Sequence, residues 1–182
     1  GYSVSSAGDM NSDGYSDVIV GAQLNDAGGN AAGRAYVYHG GSSMNSVADL
    51  TITGAAANDN FGNAVSLAGD MNGDGYGDII VGANGNDAGG SSAGRAYVYF
   101  GGSIPDSIVD VTMTGAAASD NFGIYLSSAG DVNGDGFSDV IVSAYFNDAG
   151  GSNAGRAYIY FGGNIPDNTA DVIFTGAAAG DQ

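Results

Sequence analysis

Nine of the 20 aspartates in this sequence fall within three nine-residue stretches. These are Asp9-Met10-Asn11-Ser12-Asp13-Gly14-Tyr15-Ser16-Asp17, Asp70-Met71-Asn72-Gly73-Asp74-Gly75-Tyr76-Gly77-Asp78 and Asp131-Val132-Asn133-Gly134-Asp135-Gly136-Phe137-Ser138-Asp139. Side-chain oxygens stand at the first, third, fifth and ninth positions. A glycine stands at the sixth, where the backbone must turn sharply, and an aromatic residue at the seventh, where only a carbonyl is needed. This spacing opens an EF-hand-type loop, whose hard oxygens suit Ca²⁺. The candidate ligands are Asp9, Asn11, Asp13, the Tyr15 carbonyl and Asp17; Asp70, Asn72, Asp74, the Tyr76 carbonyl and Asp78; and Asp131, Asn133, Asp135, the Phe137 carbonyl and Asp139. One Ca²⁺ per loop, three in total, is the expected complement, at a dissociation constant of about 10⁻⁴–10⁻³ M. No Glu follows at the twelfth position, so Asp17, Asp78 and Asp139 are expected to close the ligand set, with a bidentate mode open to them. A single such loop also has a lesser reading as an Asx-rich turn; three in register weigh further against that. Soft metals are disfavoured, since the chain has no Cys and one His. Mg²⁺ prefers fewer protein oxygens.

The rest of the composition points the same way. There is no Lys and no Glu, the three cations are Arg34, Arg95 and Arg156, and the formal net charge is −17. That excludes a nucleic-acid partner, which needs Lys and Arg for phosphates. Such a charge accompanies disorder when apolar residues are few, but 43% of this chain is hydrophobic, with 11 Tyr and 7 Phe, enough for a packed core. No apolar run approaches the length of a membrane span, so no membrane insertion is expected. The chain opens at Gly1 in mid-motif, which reads as a mature product or a piece of something longer.

The elements that must hold the loops recur with them. Asp9, Asp70 and Asp131 are 61 residues apart, as are the three arginines. We therefore divide the chain into repeats 1–60, 61–121 and 122–182. Each repeat predicts four short strands. In the second these are residues 61–68, the apolar run Ile79-Ile80-Val81 expected to be buried on both faces, residues 95–100, and an alternating strand with Val109, Val111 and Met113 on the core side. The 34 glycines supply the turns. The predicted fold is all-β: three tandem four-stranded antiparallel blades of 61 residues, β-propeller-type, forming a partial propeller or part of a larger ring or fibre. A blade must stack on neighbours, so residues 18–20 and 159–161 are expected to be uncovered at the two ends. Other copies of the chain, or further blades of the same protein, are the expected partners, with sedimentation in Ca²⁺ the natural test.

Phe61-Gly62, the Asp-x-Asn-x-Asp-Gly loops, the strand end Ile79 to Ala83 and Gly94-Arg95-Ala96-Tyr97-Val98-Tyr99 together resemble FG-GAP repeats, the blades of integrin α-subunit propellers and of many secreted bacterial proteins. The resemblance covers all 182 residues. It implies Ca²⁺ in the loop between the first and second strands of each blade, an extracellular setting, a role in adhesion or recognition, and usually seven blades. Three blades, more alike than those of integrins, depart from that pattern. No integrin ligand-contact constellation is placed here, and the metal site alone is carried over.

The remaining polar residues have plainer readings. Asn25-Asp26, Asn86-Asp87 and Asn147-Asp148 offer a second cation or sugar site, or Asx turns, which we favour. The arginines are expected to pair with aspartates or to span blades. Tyr36, Tyr38, Tyr97, Tyr99, Tyr158 and Tyr160 are placed to stack on sugars, or to pack in the core as alternating strand residues do. His39 stands where Phe100 and Phe161 stand and reads as surface variation. With one His, no Cys and no Glu there is little acid–base equipment, and we expect no enzyme. The expected function is a calcium-stabilised extracellular repeat protein, secreted or at the cell surface, in adhesion or as a structural component. The alternatives are a carbohydrate-binding propeller module with glycan partners, recognition of a cell-surface protein, or a subunit of an open extracellular fibre.

Overall fold

The computed structural model describes residues 1–181; Gln182, the last residue of the third repeat, lies outside the described residues. Twelve strands form three four-stranded antiparallel meanders. The first holds β1 (Ser3–Gly8), β2 (Asp17–Ala22), β3 (Arg34–Tyr38) and β4 (Leu50–Thr53). The second holds β5 (Val65–Gly69), β6 (Asp78–Ala83), β7 (Arg95–Tyr99) and β8 (Val111–Thr114). The third holds β9 (Phe122–Gly130), β10 (Asp139–Ala144), β11 (Arg156–Tyr160) and β12 (Val172–Thr175). No helix occurs among the described residues. The all-β, three-blade architecture read from the sequence is the one observed.

The sheets stack as propeller blades do, with β1 beside β5 and β5 beside β9. Two apolar layers hold the stack. Val37 and Ile52 of the first blade meet Phe61, Val65, Ile79, Val81 and Tyr99 of the second. Val98, Val111 and Met113 then meet Phe122, Val140, Val142, Tyr158 and Tyr160 of the third. The second blade is sandwiched, so every residue of β6 is buried, whereas β2 in the first blade alternates between buried and open positions. That difference explains why a strand of near-identical sequence reads as buried on both faces in one repeat only.

Phe61 and Phe122 are the pins between blades. The Phe61 ring lies 5.7 Å from Tyr97 and 6.4 Å from Tyr99, and Phe122 lies 5.4 Å from Tyr158 and 6.3 Å from Tyr160. These tilted and edge-to-face contacts are the favoured aromatic geometries. The following Gly62 has φ +81, and a Cβ there would run into the carbonyl of Arg34. The Phe-Gly pair thus combines a core anchor with a position that only glycine fills.

Several sequence expectations need correction. β5 begins at Val65, not at Phe61, because residues 61–64 turn into the strand. Val109 lies before β8 and is exposed. At the outer end of the third blade, Tyr158 and Tyr160 are buried in the layer shared with the second blade, while Ile159, on the other face of β11, is 9% exposed. What is exposed there is β12, with Ile173 and Phe174 open to solvent. At the first blade Val18 is exposed, but Ile19 is fully buried. The arginines do not meet aspartates among the described residues; Arg34, Arg95 and Arg156 each donate from Nε to Oγ1 of Thr53, Thr114 and Thr175, at 3.0, 3.1 and 3.0 Å.

Candidate metal centre

Each Asp-rich stretch joins the innermost strand of its blade to the next, where the chain needs a tight reversal. The loop folds around its own first carboxylate. Asp9 Oδ1 accepts the Asp13 amide at 3.0 Å and Asp9 Oδ2 accepts the Gly14 amide at 3.0 Å. The same Asp13 amide is shared with Asn11 Oδ1 at 3.1 Å, and the Tyr15 amide bonds to Asp13 Oδ1 at 2.9 Å. Asp9, Asn11 and Asp13 therefore converge on one small volume on the exposed side of the loop. The second and third loops repeat these contacts at Asp70, Asn72 and Asp74 and at Asp131, Asn133 and Asp135. Gly14, Gly75 and Gly136, at the sixth position, have φ values of 89, 88 and 94, the left-handed turn that the spacing requires.

One difference separates the loops. Gly73 and Gly134 have φ 76 and 79 and donate a further bond to Asp70 Oδ1 and Asp131 Oδ1, at 2.8 and 2.7 Å. The first loop has Ser12 at this position, at φ 57. A Cβ in the left-handed region carries a steric cost.

The ninth-position aspartates are placed differently from the other three. Asp17, Asp78 and Asp139 are fully buried. Asp17 Oδ2 accepts the Met10 amide at 2.9 Å and Oδ1 accepts the Gly40 amide at 2.7 Å. The same two bonds recur from Met71 and Gly101 to Asp78, and from Val132 and Gly162 to Asp139. Each is thus a staple between the root of the loop and the end of the third strand. The spacing could not reveal this second task, because Gly40 lies 23 residues away. Burial pushes the Asp78 carboxyl up to about 7, against the two amides that favour its charge; the nearby Asp74 and Asp70 charges push in the same direction as burial.

The donor set fits a hard cation. It is made of carboxylate and amide oxygens with a backbone carbonyl, and like charges crowd together at the exposed rim. Among the described residues no three Asp or His side chains form a metal cluster by themselves; a full site here draws also on the Asn side chain and the carbonyl.

The other candidate residues take structural parts. Asn25, Asn86 and Asn147 accept the amides of Ala27, Ala88 and Ala149 at 3.0 Å in Asx turns. Asn86 and Asn147 then donate from Nδ2 to Asp59 and Asp120, at 3.0 and 2.7 Å. Four of the six strand tyrosines pack on Phe61 or Phe122, which removes them as free sugar platforms. His39 is half-buried, its Nε2 without a hydrogen-bond partner among the described residues.

Comparison with known proteins agrees with this geometry. The family model described as FG-GAP repeat matches residues 1–38, 61–99 and 124–160, each stretch containing one loop. The chain is 34% identical over 156 residues to integrin alpha-5 of Xenopus laevis, covering 80% of the chain and 14% of that protein. Against integrin alpha-PS2 of Drosophila melanogaster it is 31% identical over 163 residues, 81% of the chain and 12% of the relative. Against phosphatidylinositol-glycan-specific phospholipase D of Bos taurus it is 32% identical over 180 residues, 90% of the chain and 21% of the relative. The chain thus spans about an eighth to a fifth of the length of these relatives.

Proposed function

The chain belongs to the FG-GAP repeat family, and on that premise we propose that it is a calcium-stabilised module of an extracellular, adhesive or recognition-type β-propeller, with no enzymatic activity of its own. The observation that carries the reading is the convergence of Asp9 and Asn11 on the Asp13 amide, with the Asp13 carboxylate beside them on the Tyr15 amide, repeated in all three blades. Those three side chains would hold the ion from the solvent side, with the Tyr15 carbonyl. Asp17 would hold it from beneath, through a lone pair left by its amide bonds. The other blades use Asp70, Asn72, Asp74, Tyr76 and Asp78, and Asp131, Asn133, Asp135, Phe137 and Asp139. The cation supplies positive charge and hard coordination, and no bond-making chemistry. The chain's part is to keep the oxygens together, which costs repulsion in the absence of the ion.

The extracellular placement rests on the integrin relatives. Among the described residues no helix is long and apolar enough to cross a membrane. The repeats 1–60, 61–121 and 122–182 each contain one sheet and one loop, and we take them as the units of metal binding. The partners are other blades and, through the open rims, a protein ligand. One relative carries the name of a phospholipase D, but the chain covers only 21% of it, and no catalytic role is transferred from it. Titration calorimetry on chelated protein tests the reading. We expect three Ca²⁺ per chain; no binding, or a thiophilic metal displacing Ca²⁺, would end it.

A further inference from the structure

The glycine that sets the second and third loops apart from the first belongs to an Asn-Gly pair. The sequence holds three such pairs, Asn72-Gly73, Asn84-Gly85 and Asn133-Gly134. Asparagine before glycine is prone to close on the next backbone nitrogen, because no Cβ hinders that nitrogen's approach to the side-chain carbon. The first loop has Asn11-Ser12 in the same place.

In the second and third loops every group that this ring closure needs is already engaged. The exposed Gly73 and Gly134 donate their amides to Asp70 Oδ1 and Asp131 Oδ1, at 2.8 and 2.7 Å. A carboxylate at that distance can take the proton that the attacking nitrogen must lose. The Asn72 and Asn133 side-chain oxygens accept the Asp74 and Asp135 amides, both at 3.0 Å. Such a bond polarises the side-chain carbonyl and steadies the oxyanion formed on attack.

The other two asparagines serve as controls within the same chain. In the first loop Asp9 Oδ1 accepts only the Asp13 amide among the described residues, and Ser12 carries a Cβ. Asn84-Gly85 is held at the joint between the second and third blades. Asn84 Nδ2 donates to Asn121 Oδ1 and its backbone amide to Asn63 Oδ1, both at 3.2 Å. The Gly85 amide donates to the Asp59 carbonyl at 3.1 Å, and a carbonyl is no base.

We infer that Asn72 and Asn133 are sites of spontaneous deamidation, a modification built into two of the three Asp-rich loops and withheld from the first. The Gly73 nitrogen gives its proton to Asp70 and bonds to Asn72 Cγ. The Cγ–Nδ2 bond breaks, and Nδ2 leaves with that proton as ammonia. Water then opens the cyclic imide. Attack at Cγ gives aspartate; attack at the main-chain carbonyl leaves the chain running through Cγ, as isoaspartate. Asn133, Gly134 and Asp131 repeat the sequence of steps. Isoaspartate lengthens the backbone within the loop and shortens the side chain, so the oxygens that converge on one volume are pulled out of register. The reaction itself is independent of the calcium reading; its suppression by calcium rests on that reading. Ring closure must swing the Asn72 side chain onto the Gly73 nitrogen and use a lone pair of Asp70, and an occupied loop commits both.

Peptide mapping by mass spectrometry of the whole chain, aged in chelator at neutral pH, tests it. Deamidation at Asn72 and Asn133 should outpace that at Asn11 and Asn84 at least about tenfold. Ser12→Gly should bring Asn11 to within about threefold of Asn72. Asp70→Asn should slow Asn72 at least about fivefold while Asn133, in the same molecule, keeps its rate and reports that the fold is intact. Saturating calcium should slow both sites at least about tenfold. Rates at Asn72 and Asn133 no greater than at Asn84 overturn the inference, as does an Asn11 left inert by Ser12→Gly. An unchanged Asn72 rate in Asp70→Asn removes the carboxylate from the reaction and overturns the mechanism. Deamidation that calcium leaves unaltered, in a chain that calorimetry shows to bind it, overturns the protection; deamidation in a chain that binds no calcium leaves the inference standing and removes the metal reading alone.

Discussion

Asp74 and Asp78 lie four residues apart in one loop, and the fold gives them different surroundings. Asp74 is exposed and bonds to the Tyr76 amide within the loop, while Asp78 is buried and accepts the Met71 and Gly101 amides. Asp74→Ala is therefore expected to reduce calcium affinity at the second loop at least about tenfold while leaving the chelated protein's stability within about 0.5 kcal/mol. Asp78→Ala leaves two buried amides without acceptors and should destabilise the chelated protein by about 2–4 kcal/mol. Urea unfolding in chelator separates the two. The Asp78 carboxyl, raised to about 7, also gives a pH signature. A native pKa above the unfolded value makes the native state the better proton binder. The contribution of this group to stability is full below about pH 4 and is lost as pH rises through about 7. Calcium favours the ionised form, so its uptake at the second loop should release a proton near pH 6. Calorimetry in buffers of different ionisation enthalpy checks this: a heat independent of buffer would contradict it. At the first loop, Ser12→Gly removes a left-handed Cβ and should stabilise by about 1 kcal/mol.

At the scale of the element, burial and not residue type decides what a side chain contributes. Met113 in β8 and Phe174 in β12 occupy the same place in successive repeats, one fully buried and the other half exposed. Met113→Ala is expected to cost about 2–5 kcal/mol and Phe174→Ala less than about 1 kcal/mol in dilute monomer. Phe122, seated between blades against Tyr158 and Tyr160, should cost about 3–5 kcal/mol on replacement by Ala. Because this ring belongs to the joint between the second and third sheets, its loss should loosen the third blade ahead of the first. Amide exchange quickening in β9–β12 before β1–β4 is the expected pattern; uniform quickening would mean that the blades unfold only as one unit.

For the whole molecule, charge sets the response to calcium. The net charge of −17 falls on a chain with three cations, and three bound Ca²⁺ would bring it to −11. Binding to the native state alone adds about 2.7 kcal/mol per site at a hundredfold excess over the dissociation constant. The melting temperature should rise with calcium and return on adding chelator. The triple variant Asp13→Ala, Asp74→Ala, Asp135→Ala should lose the rise. A melting temperature indifferent to chelator in the parent would refute calcium stabilisation. Since part of the rise reflects relief of repulsion among surface carboxylates, high salt should shrink it.

The sequence by itself determined the repeat, the strand count and the oxygen spacing of the loops. Each of these is local: a 61-residue period, alternation within a strand, and oxygen spacing within nine residues of one another. The left-handed glycines at the sixth loop positions follow from the same short-range sterics. Only the tertiary structure decided what crosses between repeats. It showed that Asp17, Asp78 and Asp139 fasten the loop root to residues 23 positions away. It joined Asn86 to Asp59 and Asn147 to Asp120, each 27 residues apart, where the sequence offered Asx turns or, less favoured, a second cation or sugar site. It turned Tyr97, Tyr99, Tyr158 and Tyr160 inward onto Phe61 and Phe122. And it made three nearly identical strands unlike in burial, because solvent exposure depends on what lies on either side of a blade, and the same residues in a middle blade and an end blade have different neighbours.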